Sequence, residues 1–268
     1  MARETRIAPR PFPFLTGLGG LLRGELTRWF GRRGLVHLVV WTVGIQGLLY
    51  WDAIAEKDPF PDWRGFDLLI HLWWIAGPLA AIGIAQNALL EERHNDTAGW
   101  VLSKPVTRSS FVVSKIISDA GGIILLGVIL QAVIARLWLS EIDPGIGLPI
   151  SEPDQGRYLT VVGIISLVIL LFVAMTVFLT TILPWRGPVA GIGLLVWLLV
   201  WNAPWRWMEE YTIGGLVTGE IQGGTMKPIA EYLVFETPLE PTSSVLWTAI
   251  AAAAFTIAGA LVFRREQF

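Results

Sequence analysis

Residues 158–183 read YLTVVGIISLVILLFVAMTVFLTTIL, from Tyr158 to Leu183 without a single charge. A helix of this length rises past the ~30 Å of hydrocarbon in a bilayer, which needs roughly 20 apolar residues at ~1.5 Å each. Nothing soluble demands so long an apolar run, so lipid is the expected solvent and an all-α, polytopic membrane protein the expected fold class. Composition agrees: of 268 residues 53% are hydrophobic and 16% charged, against about 25% charged in ordinary globular domains.

Working outward from that stretch, comparable runs predict six transmembrane helices, at about 35–54, 66–90, 116–139, 158–183, 188–202 and 244–263, in a single domain over 1–268. The fifth is short, rising only about 22 Å unless it continues through Trp207. Ahead of the first span, 14–33 reads as an amphipathic interfacial helix, with Leu15, Leu18, Leu22, Leu26, Trp29 and Phe30 at helical spacing and Arg23, Arg28, Arg32 and Arg33 between them. The expectation is that it lies along the cytoplasmic membrane surface. Residues 203–243 are too long and too mixed for a hairpin loop. Trp205, Trp207 and Tyr211 mark an interface belt there, and Ile213 to Val217 are apolar enough for a re-entrant segment before the last span.

Orientation follows from the cations. With both termini cytoplasmic, fourteen of the twenty Lys and Arg fall inside and five outside, and Arg136 lies within the third span. The positive-inside rule therefore favours cytoplasmic termini and an even number of spans. The start of the chain has Arg3, Arg6 and Arg10 but is broken by Pro9, Pro11 and Pro13, with no apolar core before a cleavage site, so no signal peptide is expected.

Motifs for chemistry are missing. There is no cysteine, which excludes disulfides and thiolate sites. A phosphate-cradling P-loop needs GK[ST], but the four lysines, Lys57, Lys104, Lys115 and Lys227, follow Glu, Ser, Ser and Met. His37, His71 and His94 are isolated and none precedes Glu, and no GxSxG elbow occurs. The chain is expected to be no enzyme and to hold no cofactor or metal; if ATP drives its work, another polypeptide binds it. Gln86, Asn87, Asp119, Gln131 and Arg136 are polar groups within or near spans, expected mostly to snorkel or to bond between helices. Gly187 and Gly191 form a GxxxG that permits a close helix contact.

Residues 91–115, EERHNDTAGWVLSKPVTRSSFVVSK, are too polar for lipid and too rich in helix formers for a linker. Asp96 and Thr97 read as N-capping residues of a short helix reaching Leu102, which Pro105 ends or redirects. A short helix on the inner face offers a handle to a soluble partner.

These residues resemble the permeases of the ABC transporter superfamily, in its type-2 exporter class. The class shows an acidic-basic pair, a Gly-Thr step, an apolar patch, Pro-x-x-Arg and a lysine at the start of the third span. The similar positions are Glu92-Arg93, Asp96-Thr97, Trp100 to Leu102, Pro105 to Arg108, and Lys115; Asp96 replaces the usual glycine, and Gly99 stands where an acidic residue is common. Leu22, Glu25 and Arg28 resemble the class's amphipathic helix, and Phe263-Arg264-Arg265 its basic ending. The resemblance implies a permease subunit of an ATP-driven exporter, paired with a second permease as a homodimer or heterodimer, in the cytoplasmic membrane of a prokaryote. It implies that Glu91, Glu92, Arg93, Asp96, Thr97, Trp100, Pro105 and Arg108 contact an ABC ATPase subunit, and that Glu25, Arg28 and Trp29 belong to the interfacial helix. ATP and Mg would sit in that partner; lipid is the other contact, and nucleic acid is not expected. The competing expectation is a structural anchor in a respiratory or cell-envelope complex. A proton-coupled transporter ranks third, because no midplane carboxylate stands in a span.

Overall fold

The computed structural model describes residues 16–55, 62–95, 101, 103, 105–139, 154–201, 229, 232–233, 238–239 and 242–265. Every regular element among them is helical: α1 (Leu18–Trp29), α2 (Arg32–Trp41), α3 (Gly47–Ala55), α4 (Asp62–Ala85), α5 (Asn87–His94), α6 (Arg108–Ile123), α7 (Leu130–Leu139), α8 (Gln155–Ile182), α9 (Arg186–Trp201) and α10 (Thr242–Arg264). π turns at Thr42–Gln46 and Ile124–Ile129 join α2 to α3 and α6 to α7. Among the described residues, five stretches are long and apolar enough to cross a membrane: Gly34–Asp52, Gly65–His94, Arg108–Leu137, Gln155–Ile182 and Ser243–Arg264. The chain is an all-α polytopic membrane protein.

The decisive stretch, α8, forms the centre. Its N-cap Asp154 accepts from the Arg157 amide, and its length is mostly buried among the other helices. α4 runs beside it in the same direction, with Phe66 edge-on to Tyr158 at one end and Arg93 of the following α5 bonded to the Thr180 carbonyl at the other. Between these points Gly77 admits Ile169 at 3.1 Å from where a Cβ would stand. α10 packs on the opposite flank of α8 through Phe178 and Phe255, 5.6 Å apart. In hydrocarbon no water competes for backbone groups and lipid is as apolar as the side chains, so close fit and internal hydrogen bonds set this packing.

Pro78 lies inside α4. It has no N–H, so the Trp74 carbonyl one turn earlier lacks its helical donor. The Trp197 indole N–H donates to that carbonyl at 3.3 Å, fastening α9 to the break in α4. α9 therefore runs antiparallel to α4, from Arg186 beside Glu91 through Gly193 against Ile82 to Trp197. Its 16 described residues rise about 24 Å. Gly187 and Gly191 face open space, so within the chain the close approach falls at Gly193.

Two ends of the bundle differ. At one, the Tyr158 hydroxyl donates to the Ala132 carbonyl at 2.7 Å and the Arg136 guanidinium lies over the Tyr158 ring. Arg157 donates to the Tyr232 carbonyl, and nearby in sequence Ile229 and Leu233 are buried, so that part of 203–243 returns onto the core. Ile213 to Val217 lie outside the described residues. The other end is built around Lys115.

The polar stretch 91–115 divides three ways. Its start belongs to α5, its end to α6, and the described connection between the two helices covers Asn95, Val101, Ser103 and 105–107. The helix expected over 14–33 breaks at Phe30 and Gly31 before α2 begins. There the Trp29 carbonyl presses so closely on Gly34 that a Cβ would collide with it.

Candidate functional site

α1 does not stand apart from the bundle. Gly17, in the left-handed region at φ 82°, lies against Val106, and the Thr107 amide donates to the Thr16 carbonyl at 3.1 Å. Farther along, Glu25 meets Lys115, and the Trp29 ring covers Gly122 so closely that any Cβ there would collide with it. α1 thus follows α6 from end to end. The face turned inward carries Leu21, Glu25 and Trp29, while Leu26 and Phe30 stay exposed. Spacing alone grouped Leu26 and Phe30 with Trp29; the Gly122 slot and the ion pair select the neighbouring stripe.

α6 starts at its own cap. The Thr107 hydroxyl accepts from the Ser110 amide at 3.2 Å and shares a 2.8 Å bond with the Ser110 hydroxyl. This satisfies one of the unpaired donors at a helix start. α6 then carries the small residues Ser109, Ser110, Ser114 and Ser118, all buried, which leaves room for α1.

In that seam the Lys115 side chain is 2% exposed. Its ammonium donates to Glu25 Oε1 at 2.7 Å and to Glu92 Oε1 at 2.9 Å. Arg28 closes the ring, 3.1 Å from Glu25 Oε2 and 3.5 Å from Glu92 Oε1. Two cations and two carboxylates so join α1, α5 and α6. Burial makes an unpaired charge here expensive and a paired one tolerable. Arg28 is half exposed, and solvent screening leaves its contacts worth little; Lys115 is the member that holds the ring together.

Beside the ring opens a cleft of about 270 Å³, lined among others by Arg28, Asn87, Glu91, Asn95 and Asp119. Asn87 Oδ1, buried in its wall, has no hydrogen-bond donor among the described residues. Also among the described residues, no His, Cys, Asp and Glu cluster is arranged to hold a metal ion.

The residues expected to contact a partner take several roles. Glu91 is about half exposed, with Arg186 3.7 Å away, and Pro105 is exposed. Glu92 belongs to the charged ring. Arg93 turns inward instead: it donates to the carbonyls of Thr180 at 2.6 Å and Thr181 at 3.2 Å, where α8 ends, and lies over the Phe263 ring. Arg108 donates to the Arg264 carbonyl at 3.1 Å, closing the end of α10. Those two arginines occupy backbone carbonyls at helix C-termini, where the helix itself supplies no donor, which gives them a structural task. Asp96, Thr97 and Trp100 lie outside the described residues. Of the interfacial set, Glu25 and Arg28 meet Glu92 in the ring, while Trp29 is buried farther along, on Gly122.

In sequence Lys115 falls on the permease-like pattern but outside the expected contact set. One signal was available: a lysine among small residues at the threshold of a span needs a carboxylate partner. Which carboxylates serve is a matter of packing between segments 90 residues apart in sequence.

No protein-family model matches the chain, and no curated protein matches it at a meaningful level of similarity.

Proposed function

We propose that the chain is the membrane-spanning permease subunit of an ATP-driven exporter, worked by a separate ATPase subunit. The observation that carries this reading is the convergence of α1, α5 and the start of α6 on Lys115. A push on the polar connection between α5 and α6 would reach two long helices and the amphipathic helix together, because all three are tied to one ammonium. Mechanical input of this kind needs no chemistry in the chain itself. ATP-dependent docking of the partner would favour one arrangement of the helices over another, as a population shift.

In this reading α9 counts as a span, giving six. The helices then alternate in direction, both termini share the Lys115 side, and that side is cytoplasmic by its excess of cations. The permease pairs with a second copy or a second permease in a prokaryotic cytoplasmic membrane. Glu91, Pro105, Trp100 and their neighbours meet the ATPase, whereas Arg93 and Arg108 keep the coupling end in shape.

The test is purification of the full chain from its native membrane, with measurement of ATP hydrolysis in the complex. A nucleotide-hydrolysing subunit is expected to copurify, and Trp100→Ala to lower substrate-stimulated hydrolysis several-fold at unchanged thermal stability. Recovery of redox or envelope-assembly proteins without an ATPase would replace this reading with that of a structural anchor.

A further inference from the structure

The middle of the bundle holds a second polar assembly, remote from Lys115. Both π turns lie on helices that pack together, with the Trp41 ring against Gly127, 2.7 Å from where a Cβ would stand. Gln46 Nε2 donates at 3.1 Å both to the Gln131 carbonyl and to Gln131 Oε1. Gln131 Nε2 in turn donates at 3.1 Å to Thr42 Oγ1 and to the Leu126 carbonyl. Gln131 is fully buried. The two amides therefore stitch one π turn to the other.

A π turn widens the helix and breaks the regular ladder of backbone bonds, and such turns kink helices and occur frequently at functional sites. In hydrocarbon the displaced carbonyls need a donor from side chains. Gln131 supplies it for Leu126 in its own helix, and Gln46 adds a donor to Gln131 from across the seam. On the Lys115 side of the seam the first span is held by Trp41 in its slot and by the Trp29–His37 ring contact. Ile45 is buried within the π turn itself; on the far side Leu49 is buried, while Leu48, Tyr50 and Trp51 are 52%, 60% and 71% exposed. The Lys115-side half of the same span is similarly exposed at Leu35, Val36, Val39 and Val40, so the first span presents one open face along its length and is tied to the third span at its buried positions.

We propose that the paired π turns and the Gln46–Gln131 amides form a hinge, at which the arm Gly47–Ala55 swings relative to α7. Side-chain hydrogen bonds between membrane helices shift an equilibrium by only roughly three-fold each, so a pair of amides breaks and re-forms readily while still setting a preferred geometry. The inference does not depend on what partner drives the chain.

The lack of cysteine in the sequence makes labelling clean. Spin labels at Leu48→Cys and Val133→Cys report across the hinge on the arm side; labels at Val36→Cys and Ile117→Cys report on the Lys115 side. All four positions are exposed. In the full-length protein in lipid nanodiscs, combining Gln46→Leu with Gln131→Leu is expected to broaden the arm-side distance distribution about two-fold and to leave the other pair unchanged. Should that protein fail to accumulate, Thr42→Val, which removes one acceptor, is expected to broaden the same pair to a smaller extent. An unchanged arm-side distribution overturns the hinge, and so does equal broadening of both pairs, which would make the amides a general fastening.

Discussion

Lys115 shows how one buried charge sets the geometry of an end. Replacing it with methionine leaves Glu25 and Glu92, both mostly buried, with only the half-exposed Arg28 between them, and breaking a buried ion pair by removing one partner costs up to about 3–5 kcal/mol. Lys115→Met is therefore expected to lower the thermal unfolding temperature markedly in detergent, and adding Glu25→Gln with Glu92→Gln to recover most of the loss. A single variant as stable as the parent would mean that the ring does not exist in the folded protein. At this scale the sequence was partly legible. Glu25, Arg28, Glu92 and Lys115 all stood out as charges near a span, but residue spacing carries no information about which helix turns toward which. Arg93 and Arg108 read as surface contacts because arginine is usually solvated; the carbonyls they serve, at the ends of α8 and α10, become visible only with the backbone in place.

Among the elements, four of the apolar runs coincide to within a few residues with helices long and apolar enough to cross a membrane, since lipid imposes length directly on composition. α6 is the exception. Reading from hydropathy starts the third span near Ile116, whereas the helix begins at Arg108. Hydropathy measures where lipid begins, and the backbone ladder ignores that boundary as long as the polar side chains find partners. Ser109 and Ser110 are buried, Thr107 caps the start, and Lys115 pairs with α1 and α5, so the helix continues. Thr107→Ala is expected to cost about 1 kcal/mol, the usual loss of an N-cap. Hydrogen exchange should show it as faster exchange confined to the first turn of α6; unchanged protection there would remove the cap from the account. The π turns were not legible at all, because no residue preference distinguishes TVGIQ or ILLGVI from ordinary helix.

Across the whole molecule, the structure is a bundle centred on α8 and α4, with the first and last spans exposing most of their length. One end closes through aromatic and carbonyl contacts around Tyr158, and the other gathers α1, α5 and α6 on a charged ring. The proposed permease function places the ATPase at the ring. A photocrosslinking residue at Pro105, which is exposed at that end, tests this most directly, with the same residue at exposed Leu159 as a control at the other end. The account predicts that illumination of native membranes joins the Pro105 derivative, and not the Leu159 derivative, to a nucleotide-hydrolysing subunit. Crosslinking of Pro105 only to lipid, or to a protein that binds no nucleotide, would contradict it.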